Sequence, residues 1–140
     1  MQQFLIYASH HPLLLGATLV VAAALAAHEF LAQRANFAAV SPAEAVALVN
    51  SGALIIDIRT REAFEDGHIP KARNVPGASI AEGAEGLERF KGKPIIAYCD
   101  TGATAGAAAR HLGRLGFAQA YNLRGGLAAW RQDNLPVEKG

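Results

Sequence analysis

The sequence predicts an α/β domain, a parallel sheet with helices on both faces, preceded by one N-terminal transmembrane helix. Three observations lead there. The stretch LLLGATLVVAAALAAHEFLA covers Leu13 to Ala32 ahead of the first basic residue, Arg34. Beyond it, apolar runs of strand character at 54–58, 94–98 and 119–123 alternate with helical patterns, and such alternation argues a parallel sheet covered on both sides. The single cysteine, Cys99, closes the second of these runs, beside a short glycine-containing turn.

The apolar stretch is taken first. About twenty helical residues rise roughly 30 Å, the thickness of a bilayer core. Pro12 suits the first turn, Tyr7 and Phe30 suit the interfaces, and His28 and Glu29 fall near one boundary. Ala24-Leu25-Ala26 resembles a cleavage motif, but residues 1–12 lack the basic start of a signal peptide and carry only His10 and His11. A buried helix of the following domain is the third reading. The preferred division is an anchor over 1–33, a linker over 34–40 and a folded domain over 41–138. All thirteen basic residues follow the span. The positive-inside tendency therefore predicts a single-pass protein of the cell inner membrane with its domain in the cytoplasm.

Residues 37–140 hold twelve Lys/Arg against eleven Asp/Glu. So near-neutral a balance implies no broad basic face for nucleic acid. One cysteine excludes an internal disulfide and fits a reducing compartment. His10 and His11 are adjacent, point apart in regular structure and have no further ligands nearby. No metal and no cofactor is expected.

Along the domain, Ser41-Pro42-Ala43-Glu44 is a capping box with proline at the first helical position, and its helix runs to Asn50. Leu54–Ile58 is a buried strand. Arg61–Asp66 is a short helix ended by Gly67, and 72–75 is a brief extended piece. Ser79–Phe90 reads as helical, interrupted by Gly83 and Gly86. Pro94–Tyr98 is the second strand, Thr104–Leu115 a helix and Gln119–Leu123 the third strand. Gly125-Gly126 is a turn, and Leu127–Gln132 is the last helix.

Cys99 carries the chemistry. A thiol where a strand ends and a helix begins faces backbone N–H groups and the positive end of a helix dipole. Both favour thiolate, the nucleophilic form. Ligands of such sheets also bind at the carboxyl ends of strands.

Leu54-Ile55-Ile56-Asp57-Ile58-Arg59, Gly67-His68-Ile69-Pro70, the Cys99 loop and Leu123-Arg124-Gly125-Gly126-Leu127-Ala128-Ala129-Trp130, in this order and spacing, resemble the single-domain rhodanese family. The resemblance covers residues 40–138, and with the N-terminal span it looks like membrane-anchored bacterial rhodanese-like proteins. It implies sulfur transfer. The thiolate of Cys99 takes sulfane sulfur from a donor such as thiosulfate or a persulfide, and a thiol or cyanide removes it again. Asp100, Thr101, Gly102, Ala103 and Thr104 would cradle the anionic persulfide with their N–H groups, and Arg59 would line the mouth or orient the loop. Asp57 and Arg59 could equally form a structural ion pair.

Two departures bear on activity. Family loops are often written C-x-x-G-x-R-S, whereas this chain has Thr104 and Ala105 where that pattern places its basic residue and serine. Asp100 adds a negative charge that would raise the thiol pKa if it pointed inward. Weaker thiosulfate turnover is expected, with a persulfide as the better donor. The C-x5-R loop of phosphatases sharing this fold would need arginine at position 105, so the phosphate clamp is missing. The competing reading is a catalytically weak or inactive binding module that recruits a partner, of unknown identity, to the membrane. Arg124 could face the pocket or the solvent. His68 is expected to hold the fold, and Trp130 to close the core.

Overall fold

The computed structural model describes residues 12–37 and 39–140. Tyr7, His10 and His11 lie outside the described residues. The chain divides into two units, Met1–Asn36 and Phe37–Gly140.

The first unit contains helix α1, Pro12–Phe37. Proline at its start and an alanine- and leucine-rich body explain it, since these residues give up little on entering a helix. Its apolar residues are spread around the whole circumference. Leu13, Leu14, Leu19, Val20, Val21 and Leu25 are exposed. The Thr18 hydroxyl donates to the Leu14 carbonyl at 2.8 Å, so the helix supplies the hydroxyl with its own partner. Among the described residues, no helix is long and apolar enough to cross a membrane. The charge-free part of α1, Leu13 to Ala27, rises ~22 Å. The expected transmembrane helix is thus observed as an exposed apolar helix, not as an established span. The expected linker over 34–40 also differs. Residues 34–37 continue α1, and Ala39–Val40 form an edge strand, β1.

In the second unit, five parallel strands form one sheet in the order β1-β5-β4-β2-β3, with β2 Leu54–Asp57, β3 Arg73–Asn74, β4 Ile95–Tyr98 and β5 Ala120–Leu123. The helices are α2 Pro42–Asn50, α3 Arg61–Asp66, α4 Gly77–Ala81, α5 Ala105–Arg114 and α6 Gly126–Gln132. The capping box forms as the sequence predicts. Glu44 N–H donates to Ser41 Oγ at 3.3 Å, and Ser41 N–H donates to the Glu44 carboxylate at 2.7 Å. The helix expected over Ser79–Phe90 is instead the short α4 and a single 3-10 turn at Glu88–Phe90. Gly83 and Gly86 both take positive φ between them, a conformation that ends helices.

Strand alternation sorts the core. Ile95, Ala97 and Cys99 face one side with Ile56, Ile58, Ala105, Ala108 and Leu112. Ile96 and Tyr98 face the other with Ile55, Ala45, Leu127 and Trp130. The period of two continues one residue past β4 and aims Cys99 toward α5. The next strand after β2 is β3 on one side, and the next after β4 is β5 on the other. The adjacent carboxyl ends of β2 and β4 therefore flank the topological switch point, where open α/β sheets bind ligands. Ile96 is fully buried on the central strand. Ile96→Ala is expected to cost about 3 kcal/mol of stability, read from urea unfolding of the full chain.

Candidate active site

The loop after β4 is shaped by the turn after β5. Leu127 N–H donates to the Cys99 carbonyl and Ala128 N–H to the Asp100 carbonyl, each at 2.9 Å. With these carbonyls held by the start of α6, the N–H groups of the loop are left for the sulfur. Gly102 N–H donates to Cys99 Sγ at 3.1 Å. Two glycines make this close approach possible. Gly102 has φ +85°, and a Cβ there would lie 3.1 Å from Gly125 N and 3.2 Å from the Leu123 carbonyl. Gly126 has φ +59°, and a Cβ there would collide with the Cys99 carbonyl.

Burial pushes the Cys99 thiol up. The Thr104 hydroxyl and the N–H groups of Thr104, Ala105 and Thr101 outweigh it, and the net result is a thiol below its ordinary value. Thr104 is the N-cap of α5, yet its hydroxyl makes no capping bond. It serves the sulfur instead. The dipole of α5, which begins at Ala105, acts in the same direction.

Arg59 ties the two strand ends together. Its guanidinium meets buried Asp57 at 2.6 Å and Asp100 at 3.0 Å, and it donates to the Gly67 carbonyl at 2.7 Å. The hydrogen bond to Asp57 leads the effects that hold Arg59 protonated. Asn74 completes the corner by donating to the carbonyls of Asp57 and Arg59 at 3.2 and 3.0 Å. The Asp57–Arg59 pair, open between two roles in the sequence, therefore joins the β2 end to the Cys99 loop. The Asp100 side chain is 71% exposed and paired with Arg59, and the thiol stays below its ordinary value beside it.

The recess at the sulfur has a volume of about 340 Å³, with Arg59, Cys99, Asp100, Thr101, Ala103 and Thr104 on its wall. Gly102 bonds the sulfur from below. The structure thus brings Arg59 and the loop residues Cys99, Asp100, Thr101, Gly102, Ala103 and Thr104 together. It adds Ile58, Thr60 and Ala63 to the lining. These three follow β2, and only the strand order could have placed them there. Arg124 is exposed and outside this recess, with its N–H donating to the Val40 carbonyl at 2.8 Å. His68 lies stacked on Phe64 at 3.8 Å and bridged to Glu138, a fold-holding position. Trp130 is buried, its Nε1–H donating to the Pro136 carbonyl at 2.8 Å.

The site is a cysteine thiol of depressed pKa, cradled by loop amides at the switch point of a parallel sheet. Residues 41–133 match the rhodanese-like domain, and the chain belongs to that family. It is 31% identical over 142 aligned residues to the uncharacterized protein YibN of Escherichia coli (strain K12), covering 100% of this chain and 99% of that one. It is 35% identical over 96 residues to the thiosulfate sulfurtransferase GlpE of Pseudomonas syringae pv. syringae (strain B728a), covering 69% of this chain and 89% of that one. Among solved structures it resembles the BH2092 protein of Bacillus halodurans, with a TM-score of 0.65 and 32% identity over 81% of this chain and 84% of that one.

Thiol alkylation by iodoacetamide as a function of pH checks the electrostatics. Because only thiolate reacts, the depressed Cys99 pKa is expected to bring the rate to its plateau at lower pH than for an ordinary cysteine. Thr104→Ala is expected to move that profile to higher pH.

Proposed function

We propose that this chain is a sulfurtransferase that moves sulfane sulfur through a Cys99 persulfide. The Cys99 thiolate attacks the sulfane sulfur of the donor and forms the S–S bond of the persulfide. The donor's own S–S bond breaks, and sulfite leaves from thiosulfate, or a thiolate from a persulfide. An acceptor thiolate or cyanide then attacks the outer sulfur and returns Cys99 as thiolate. The observation that carries this reading is the amide-ringed sulfur at an open recess. Amides stabilise the anionic persulfide as they stabilise the thiolate. Thr104 contributes a hydroxyl and no charge, which favours a persulfide over the dianionic thiosulfate as donor.

One observation favours a second reading, a weak or inactive module that recruits a partner. Among the described residues lining the recess, Arg59 is the one cation, and Asp57 and Asp100 already occupy it. Mass spectrometry of the protein after thiosulfate or glutathione persulfide separates the two. The enzyme is expected to gain one sulfur atom on Cys99, lost in Cys99→Ser. No adduct from either donor would leave the module.

The proposal extends to place. α1 attaches the protein to the cell inner membrane in a single pass, with the rhodanese domain in the cytoplasm. Its exposed leucines and valines and its self-satisfied Thr18 support this. The protein is expected to stay in the membrane pellet after alkaline carbonate extraction. A variant lacking residues 1–36 is expected in the supernatant.

A further inference from the structure

A second recess adjoins the one at the sulfur. It has a volume of about 270 Å³ and lies along α4 and α5. The two recesses meet at Ile58 and Thr104, which line both. Its walls are apolar and small, from Gly77, Ile80 and Ala81 on one side and Ala107 on the other. Its far end is polar, formed by His111 and Arg114 of the last turn of α5. Arg114 Nη2 lies 3.1 Å from His111 Nδ1, so the guanidinium and the imidazole are held together at that end. None of its described lining residues is acidic. Thr104, Ala107, His111 and Arg114 are spaced along one face of α5 at helical intervals. The way from the saddle at Thr104 to His111 is about 10 Å at 1.5 Å per residue.

This arrangement has no part in the chemistry at Cys99 derived above, yet it is continuous with the place where a donor or acceptor must enter. Building on the sulfurtransferase reading, we infer that the second recess binds the body of a short peptide thiol or persulfide. Its sulfur reaches Cys99 across Thr104, and its free carboxylate pairs with Arg114 beside His111. About three extended residues span the required ~10 Å. The guanidinium supplies the planar donor pair that a carboxylate accepts. Small inorganic donors occupy the first recess alone and do not meet Arg114.

The test compares KM for glutathione persulfide, its diethyl ester and thiosulfate in wild type and Arg114→Gln. Removing the carboxylate by esterification, or the guanidinium by substitution, is expected to raise KM for the peptide persulfide about tenfold relative to thiosulfate. Made together, the two changes are expected to cost no more than either alone, as for one shared contact. The ester comparison is made on the wild-type protein and does not depend on the variant's folding. Equal KM for acid and ester in wild type, or full additivity of the two losses, overturns the assignment while leaving sulfur transfer intact. If wild-type Cys99 takes sulfur from none of the three donors, the sulfurtransferase reading fails and this one with it.

Discussion

Two backbone hydrogen bonds decide what the Cys99 loop can do. Leu127 and Ala128, at the start of α6, hold the carbonyls of Cys99 and Asp100. A loop of peptide units cannot turn both its carbonyls and its amides to the same point. Once the carbonyls are taken from outside, the amides converge on the sulfur, and the thiolate gains the donors that outweigh its burial. Gly126 is the hinge of this arrangement, because any side chain there would stand where the Cys99 carbonyl lies. The helix following the last strand of the sheet thus sets the chemistry of the loop following its central strand.

The charges around the loop are arranged for position more than for binding. Asp57 is fully buried and needs a partner, and Arg59 provides one through three hydrogen bonds from Nε and Nη2. Nη2 also donates to the Gly67 carbonyl, and Nη1 donates to Asp100. An acidic residue next to a nucleophilic thiol would ordinarily oppose ionisation. Here Asp100 is exposed and paired with Arg59, so it fixes the loop while the thiol stays below its ordinary value. The thiolate is stabilised by dipoles instead of a neighbouring cation.

α1 follows a different logic from the folded domain. Its apolar residues are not gathered on a stripe, so it has no single face to lay against a protein core. The match to YibN extends over the residues of this helix as well as the domain.

The sequence by itself determined the alternating elements, the parallel sheet, the capping box at Ser41 and the place of Cys99 at a strand end. These are local properties: strand period, turn residues and one cysteine at a strand end are visible over a few positions. The interruption of 79–90 was visible too, in Gly83 and Gly86, though the depth of the break was not. The two-residue strand β1 was hidden because Ala39–Val40 has no pattern of its own and pairs only when β5 is present beside it. Tertiary structure alone decided where Asp100 points, which role Asp57 and Arg59 take, and why two glycines follow β5. Each of these depends on residues forty or more positions apart in one case and about twenty-five in another, brought together by strand order. A single sequence records such residues but not their meeting, since the pairing is set by packing and not by spacing.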